Sequence, residues 1–183
     1  MSHDLLTDAS FFLLLERIDR DSVAALAHGC CTYCGGKLDR AYFWRKPRGI
    51  PAKAGAGPRQ RASFCCRQDG CRRRSTPRQL LFLGRRVYAS VVVVLGACLA
   101  NGPTPTRLAV LEKAIGASPR TIRRWVRWWR EDFPRSSVWS ELRARLGQSL
   151  AVGALPGVLL RAFAAAATTP EAALENMLRF IVS

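Results

Sequence analysis

Apolar positions recur at helical spacing through most of the chain. Phe11, Phe12, Leu14, Leu15 and Ile18 form one face, and Val23, Ala24 and Leu26 come after Asp21, a residue suited to starting a helix. Residues 8–27 therefore read as one or two helices, a small lid or brace for the rest of the chain. A second helical region begins near Arg85 and continues to Ala100, where Asn101-Gly102-Pro103 stops it. Another helix starts at Thr104, with Pro105 in its first position, and turns Leu108, Leu111 and Ile115 inward. Gly116 permits a left-handed turn, Ala117 comes next, and Ser118 caps a further helix. Towards the carboxy terminus, helical stretches are expected near Val138–Leu146, Pro156–Ala166 and Pro170–Ile181. Leu150, Leu155, Val158, Leu159, Leu160 and Phe163 exceed what a lone exposed helix carries, so packing on a core is expected.

The helix that starts at Ser118-Pro119 has two opposed sides. At about 100° per residue, Ile122, Trp125, Val126, Trp129 and Phe133 fall in one arc. Arg120, Arg123, Arg124, Arg127 and Arg130 fall opposite. A small core can hold the Trp-rich back while the guanidinium groups face phosphates and base edges.

Residues 29–83 break the helical pattern. Cys31-Thr32-Tyr33-Cys34-Gly35-Gly36 places two thiols on a tight turn, and Cys65-Cys66 and Cys71 stand about thirty residues later. Tetrahedral zinc takes four such ligands, commonly as two close pairs. Cys31, Cys34, Cys66 and Cys71 are the expected ligands, with Cys65 as the rival to Cys66. Between the pairs, Tyr42 to Trp44 suggest a strand, a Gly/Ala/Pro/Lys stretch to Pro58 a loop, and Arg61 to Phe64 a return strand. This is the pattern of a zinc ribbon that needs its metal to fold.

Charge adds a partner. Residues 1–28 carry a net −3, residues 29–133 carry 22 Lys and Arg against five acids, and the remainder carries +2. Compositional bias would spread the +16 total evenly. Its concentration in the middle is the footprint of a nucleic acid. Arg120, Thr121, Arg124 and Arg127 are placed to enter a major groove, with Arg123 and Arg130 on flanking phosphates. Arg45, Lys46, Arg48, Arg72, Arg73 and Arg74 extend the footprint along the ribbon. The amino terminus lacks a secretory pattern, and the most apolar run, Val87 to Ala100, is 14 residues, shorter than the ~20 that span a bilayer. A cytoplasmic, nucleoid-associated protein with reduced cysteines is expected.

Leu111, Ile115, Gly116, Ile122 and Trp125 stand at the apolar and turn positions of a helix-turn-helix. The segment resembles the modules of bacterial transposases and their small accessory proteins. Glu112 stands where the standard motif has a small residue, which favours a looser, homeodomain-like trihelical form. With the ribbon ahead of it, residues 29–133 resemble zinc-ribbon plus helix-turn-helix proteins of insertion sequences. The expected fold is mainly α with a small β zinc ribbon: an amino-terminal segment (1–28), the ribbon (29–83), the trihelical domain (84–134) and a carboxy-terminal helical segment (135–183). The resemblance implies an accessory or regulatory protein of a transposable element that recognises double-stranded DNA. A transposase, or a second copy docked through the carboxy-terminal helices, is a further expected partner. An RNA- or ribosome-associated ribbon protein and a protein-interaction adaptor are the alternatives. No catalytic constellation stands out: after the arginine helix only Glu141, Glu171 and Glu175 remain as acids.

Overall fold

Phe11, Phe12, Leu15 and Ile18 share one stripe of a single helix, α1 (Ala9–Ala27). The computed structural model describes residues 9–47, 49–50, 55, 57–82, 104–146 and 150–183. The helix expected over 85–100 and the expected contact residue Arg48 lie outside the described residues. Asp21 starts no second helix. It sits within α1, its carboxylate accepting from Arg179 Nη1 at 2.9 Å. Nor is α1 a peripheral lid, because its four apolar residues are at most 2% exposed and belong to the main core.

Strands β1 (Leu38–Arg45) and β2 (Arg59–Cys66) pair antiparallel, with Leu38 opposite Cys66 and Arg45 opposite Arg59. The two-residue β3 (Arg74–Ser75) joins the other side of β2, giving the order β1-β2-β3. A small apolar cluster of Val23, Ala62 and Phe64, with Ala27 and Leu38 against it, fastens the sheet to α1. Where β3 ends, Gln79 takes its place: its buried side-chain oxygen accepts the Ala62 amide at 3.2 Å. An unpaired strand amide in a buried setting would cost about as much as a lost hydrogen bond.

The chain then makes one buried 3-10 turn, Leu80–Phe82. Both its leading amides donate to the Asp19 carboxylate of α1, Leu80 to Oδ1 and Leu81 to Oδ2, the latter at 3.1 Å. Arg61 of β2 adds a second tie, its guanidinium 5.5 Å from the Phe82 ring centre.

The helical part comprises α2 (Pro105–Ile115), α3 (Pro119–Arg127), α4 (Ser137–Leu146), α5 (Gly157–Ala164) and α6 (Pro170–Val182). Gly116 adopts φ 63°, and the chain passes from α2 to α3 within the three residues 116–118. Ser118 caps α3, its hydroxyl accepting the Thr121 amide at 3.3 Å. Thr169 caps α6 in the same way, accepting from Ala172 N at 3.1 Å. One apolar core joins α1, the Leu80–Phe82 turn, Leu111 of α2, Ile122 and Trp125 of α3, and Leu159, Leu160, Leu174, Met177 and Leu178 of the last two helices. The carboxy-terminal helices are thus part of the core, as their apolar residues suggest.

The arginine helix departs from the sequence reading at its end. After Arg127 it widens into a π-turn, Trp128–Asp132, in which the Phe133 amide donates to the Trp128 carbonyl, and closes with a 3-10 turn, Phe133–Arg135. Pro134 supplies the reason: it has no amide to continue the ladder, and its ring would meet the carbonyl four residues back. The wider turn brings Phe133 over both tryptophans, with ring centres 5.6 Å from Trp128 and 4.7 Å from Trp129. Trp128, opposite the apolar arc in a straight helix, is half-buried.

Asp19 is 4% exposed, and burial raises its pKa to about 7 against the two amide hydrogen bonds, which oppose the rise. The folded chain therefore retains a proton that the unfolded chain releases near pH 4, so this group's contribution to stability falls as pH rises towards 7. In denaturant titrations at pH 5 and pH 8, Asp19→Asn is expected to remove this component, seen in the wild-type-minus-variant difference. Asp19→Ala, which strips both amides of their acceptor, is expected to cost about 1–3 kcal/mol.

Candidate metal centre and basic face

Cys31 and Cys34 lie on a turn closed by two backbone hydrogen bonds, Gly35 N to Cys31 O and Cys31 N to Gly36 O, both 2.8 Å. Gly35 supports the turn with φ 69°. The second turn comes directly after β2: the amides of Cys71 and Arg72 donate to Gln68 O, with Gly70 at φ 86° and Arg72 at φ 43°. The two turns are joined directly, Arg67 N donating to Lys37 O at 2.9 Å.

This arrangement gathers the Sγ atoms of Cys31, Cys34, Cys66 and Cys71 within 4.8 Å of one another. Cys34 and Cys66 are 3.4 Å apart, and Cys31 and Cys71 3.8 Å apart, so neither pair is a disulfide. A tetrahedral ion with metal–sulfur bonds of about 2.3 Å needs sulfurs about 3.8 Å apart. The four thiols could hold such a metal ion. Gly36 leaves the room: a Cβ there would sit 3.2 Å from Cys66 Sγ and 3.3 Å from Cys34 Sγ. The Tyr33 and Cys34 amides lower the Cys31 thiol to about 7, while burial pushes Cys66 up to about 12. A cation would reverse the second effect.

The choice between Cys65 and Cys66 is decided by strand alternation. Cys66 stands opposite Leu38 and points to the cluster, whereas Cys65, opposite Asp39, turns its thiol towards the Arg72 carbonyl at 3.7 Å. Cys30, beside the first knuckle, is exposed and outside the cluster, as is His28.

Beside the centre Arg72, Arg73 and Arg74 are exposed, as are Arg45 and Lys46 at the other end of β1. Arg67 is engaged with Asp39 at 2.6 Å and holds that carboxyl below its usual range. On α3 and the π-turn that continues it, Arg120, Arg123, Arg124, Arg127 and Arg130 are all exposed, while Ile122, Trp125 and Trp129 are at most 3% exposed behind them. Arg123, Arg127 and Arg130 line a hollow of about 450 Å³ together with Leu108, Val126 and Glu131. Thr121 is half-buried, its hydroxyl 3.1 Å from Ser118 Oγ, which commits it to the helix cap.

Asp19 and Gln79, the two buried polar side chains that splice ribbon and helices, are not marked out by the sequence pattern as functional positions. For Asp19 a signal existed, since it lies four residues after Leu15 on the apolar stripe. Gln79 carried none. Among the described residues no helix is long and apolar enough to cross a membrane. No family model matches the chain, and neither a curated protein nor a solved structure matches it.

Elemental analysis of protein purified with divalent metal is expected to give one ion per chain. Cys66→Ser should lose it under conditions where Cys65→Ser and Cys30→Ser retain it, and Gly36→Ala should weaken it.

Proposed function

We propose that the chain is a zinc-stabilised, sequence-recognising DNA-binding protein that acts by binding rather than by catalysis. The observation that carries this reading is the division of α3 and its π-turn: five exposed arginines on one side, and a buried Ile122-Trp125-Trp129 wall on the other. A helix held this firmly from behind has side chains of fixed origin in front, which groove reading requires. The helix–Gly116 turn–helix geometry of α2 and α3, with Ser118 as cap, supports the second and third helices of a homeodomain-like trihelical module.

Arg120, Arg124 and Arg127 take base edges in this reading, and Arg123 and Arg130 take phosphates. The exposed ribbon cations Arg45, Lys46, Arg72, Arg73 and Arg74 extend the contact along the backbone. Zinc is the metal that suits a four-thiolate tetrahedral set with a structural role. A four-cysteine ribbon ahead of an arginine helix supports an accessory or regulatory role in a transposable element. Since α5 and α6 spend their apolar residues on the core, docking of a transposase or a second copy falls to exposed positions such as Val152.

Replacing Arg120, Arg124 and Arg127 with Ala is expected to weaken duplex binding and relax its sequence preference, whereas replacing Arg123 and Arg130 with Ala is expected to lower the slope of log affinity against log salt by about 2. Unchanged affinity and slope would remove α3 from the interface. A preference for structured RNA in competition would point to the ribosome-associated alternative.

A further inference from the structure

β1 is an outer strand, and outer strands usually guard against association with charge or brevity. This one has eight residues and carries two large exposed rings, Tyr42 at 49% and Trp44 at 65%. Being two apart, they share a face with Arg40, opposite Ala62, Gln60 and Phe64 of β2. The Arg40 guanidinium lies 5.3 Å from the Tyr42 ring centre. Arg45 lies 5.4 Å from the Phe43 ring, and on the first knuckle Arg73 sits 4.0 Å from the ring of Tyr33, itself 66% exposed. The one acid of the strand, Asp39, is already taken by Arg67, and Glu16 beside β2 by Arg59 at 2.5 Å.

Two exposed rings on one strand face, Tyr42 with the Arg40 cation beside it and both with the nearby carboxylates neutralised, suit a ligand with both flat apolar groups and regular negative charge. An acidic peptide has the charge without the rings. A DNA duplex has the charge but keeps its bases stacked inside. Unpaired nucleotides have both, and base–aromatic stacking tolerates any sequence.

We infer that the Arg40-Tyr42-Trp44 face of β1 binds unpaired deoxynucleotides, so that the protein holds a junction between duplex and single-stranded DNA. The duplex half of that statement rests on the function proposed above; the single-strand half rests on β1 alone.

The test measures binding by fluorescence anisotropy to a blunt duplex, to the same duplex with an oligo-deoxythymidine overhang on either strand, and to the overhang strand alone. The overhang is expected to tighten binding about ten-fold or more. Tyr42→Ala with Trp44→Ala should abolish that gain and leave blunt-duplex affinity unchanged, while Tyr42→Phe with Trp44→Phe should keep it. Both positions are exposed, and an unaltered metal content and melting temperature confirm that the variants fold. The Arg120/Arg124/Arg127 triple Ala variant should weaken the blunt duplex and retain the overhang's gain. Equal binding of blunt and overhang probes, or a gain that survives the Ala pair, overturns the inference. The same overhang built of ribonucleotides is a further probe, and a gain confined to it also overturns the inference. Single-strand binding that depends on Trp44, without duplex binding, upholds the platform and overturns the duplex reading.

Discussion

Four sulfur atoms gathered within 4.8 Å cannot all ionise unless a cation sits among them, and that constraint shapes the ribbon. Among the described residues the apolar cluster behind the sheet is small, three buried side chains and two partly buried ones. Two knuckles of tight backbone hydrogen bonds aim the thiols inward, and Gly36 keeps the interior open. Burial raises the Cys66 thiol, and a cation among the sulfurs is what would let it ionise. An ion turns the same four groups into the strongest cross-link in this part of the chain.

The ribbon and the helices meet through polar contacts in an otherwise apolar boundary. Gln79 completes the β2 ladder, and Asp19, one turn after Leu15 on α1, receives the start of the Leu80–Phe82 turn. Both are directional, unlike the aliphatic contacts around them, and so define the angle at which the sheet joins the core. The ion pairs Arg17–Glu175 and Arg179–Asp21 link α1 to α6 on the surface, and Arg179–Glu175 joins their two α6 members. Exposed pairs of this kind contribute little individually.

Much of this was legible from residue patterns, for identifiable reasons. Ser118-Pro119 marks a helix start because capping is local chemistry, and the cap is present; a helix likewise starts at Pro170, as expected. The spacing of Cys31 and Cys34 needs only a turn. The choice between Cys65 and Cys66 was not legible, since adjacent strand residues face opposite ways and only the pairing of Leu38 with Cys66 decides. Likewise, the sequence suggested four segments, whereas Phe11 and Val182 share one core; long-range packing leaves no local mark. The exposed state of Tyr42 and Trp44 was hidden as well, because aromatic residues in a strand ordinarily signal burial.

The π-turn at Trp128–Asp132 has a geometric consequence for the whole helical half. One additional residue in a turn rotates everything beyond it by about 100° relative to an uninterrupted α-helix. Pro134 and that residue together act as an angular spacer, setting the phase between the arginine stripe and the α4–α6 end of the core. Deleting a single residue here would leave Arg120, Arg123, Arg124 and Arg127 where they are and swing the rest of the chain round the helix axis. The direction in which the basic face looks out from the body of the protein is therefore encoded partly beyond α3, in the short Trp128–Pro134 stretch that itself carries Arg130.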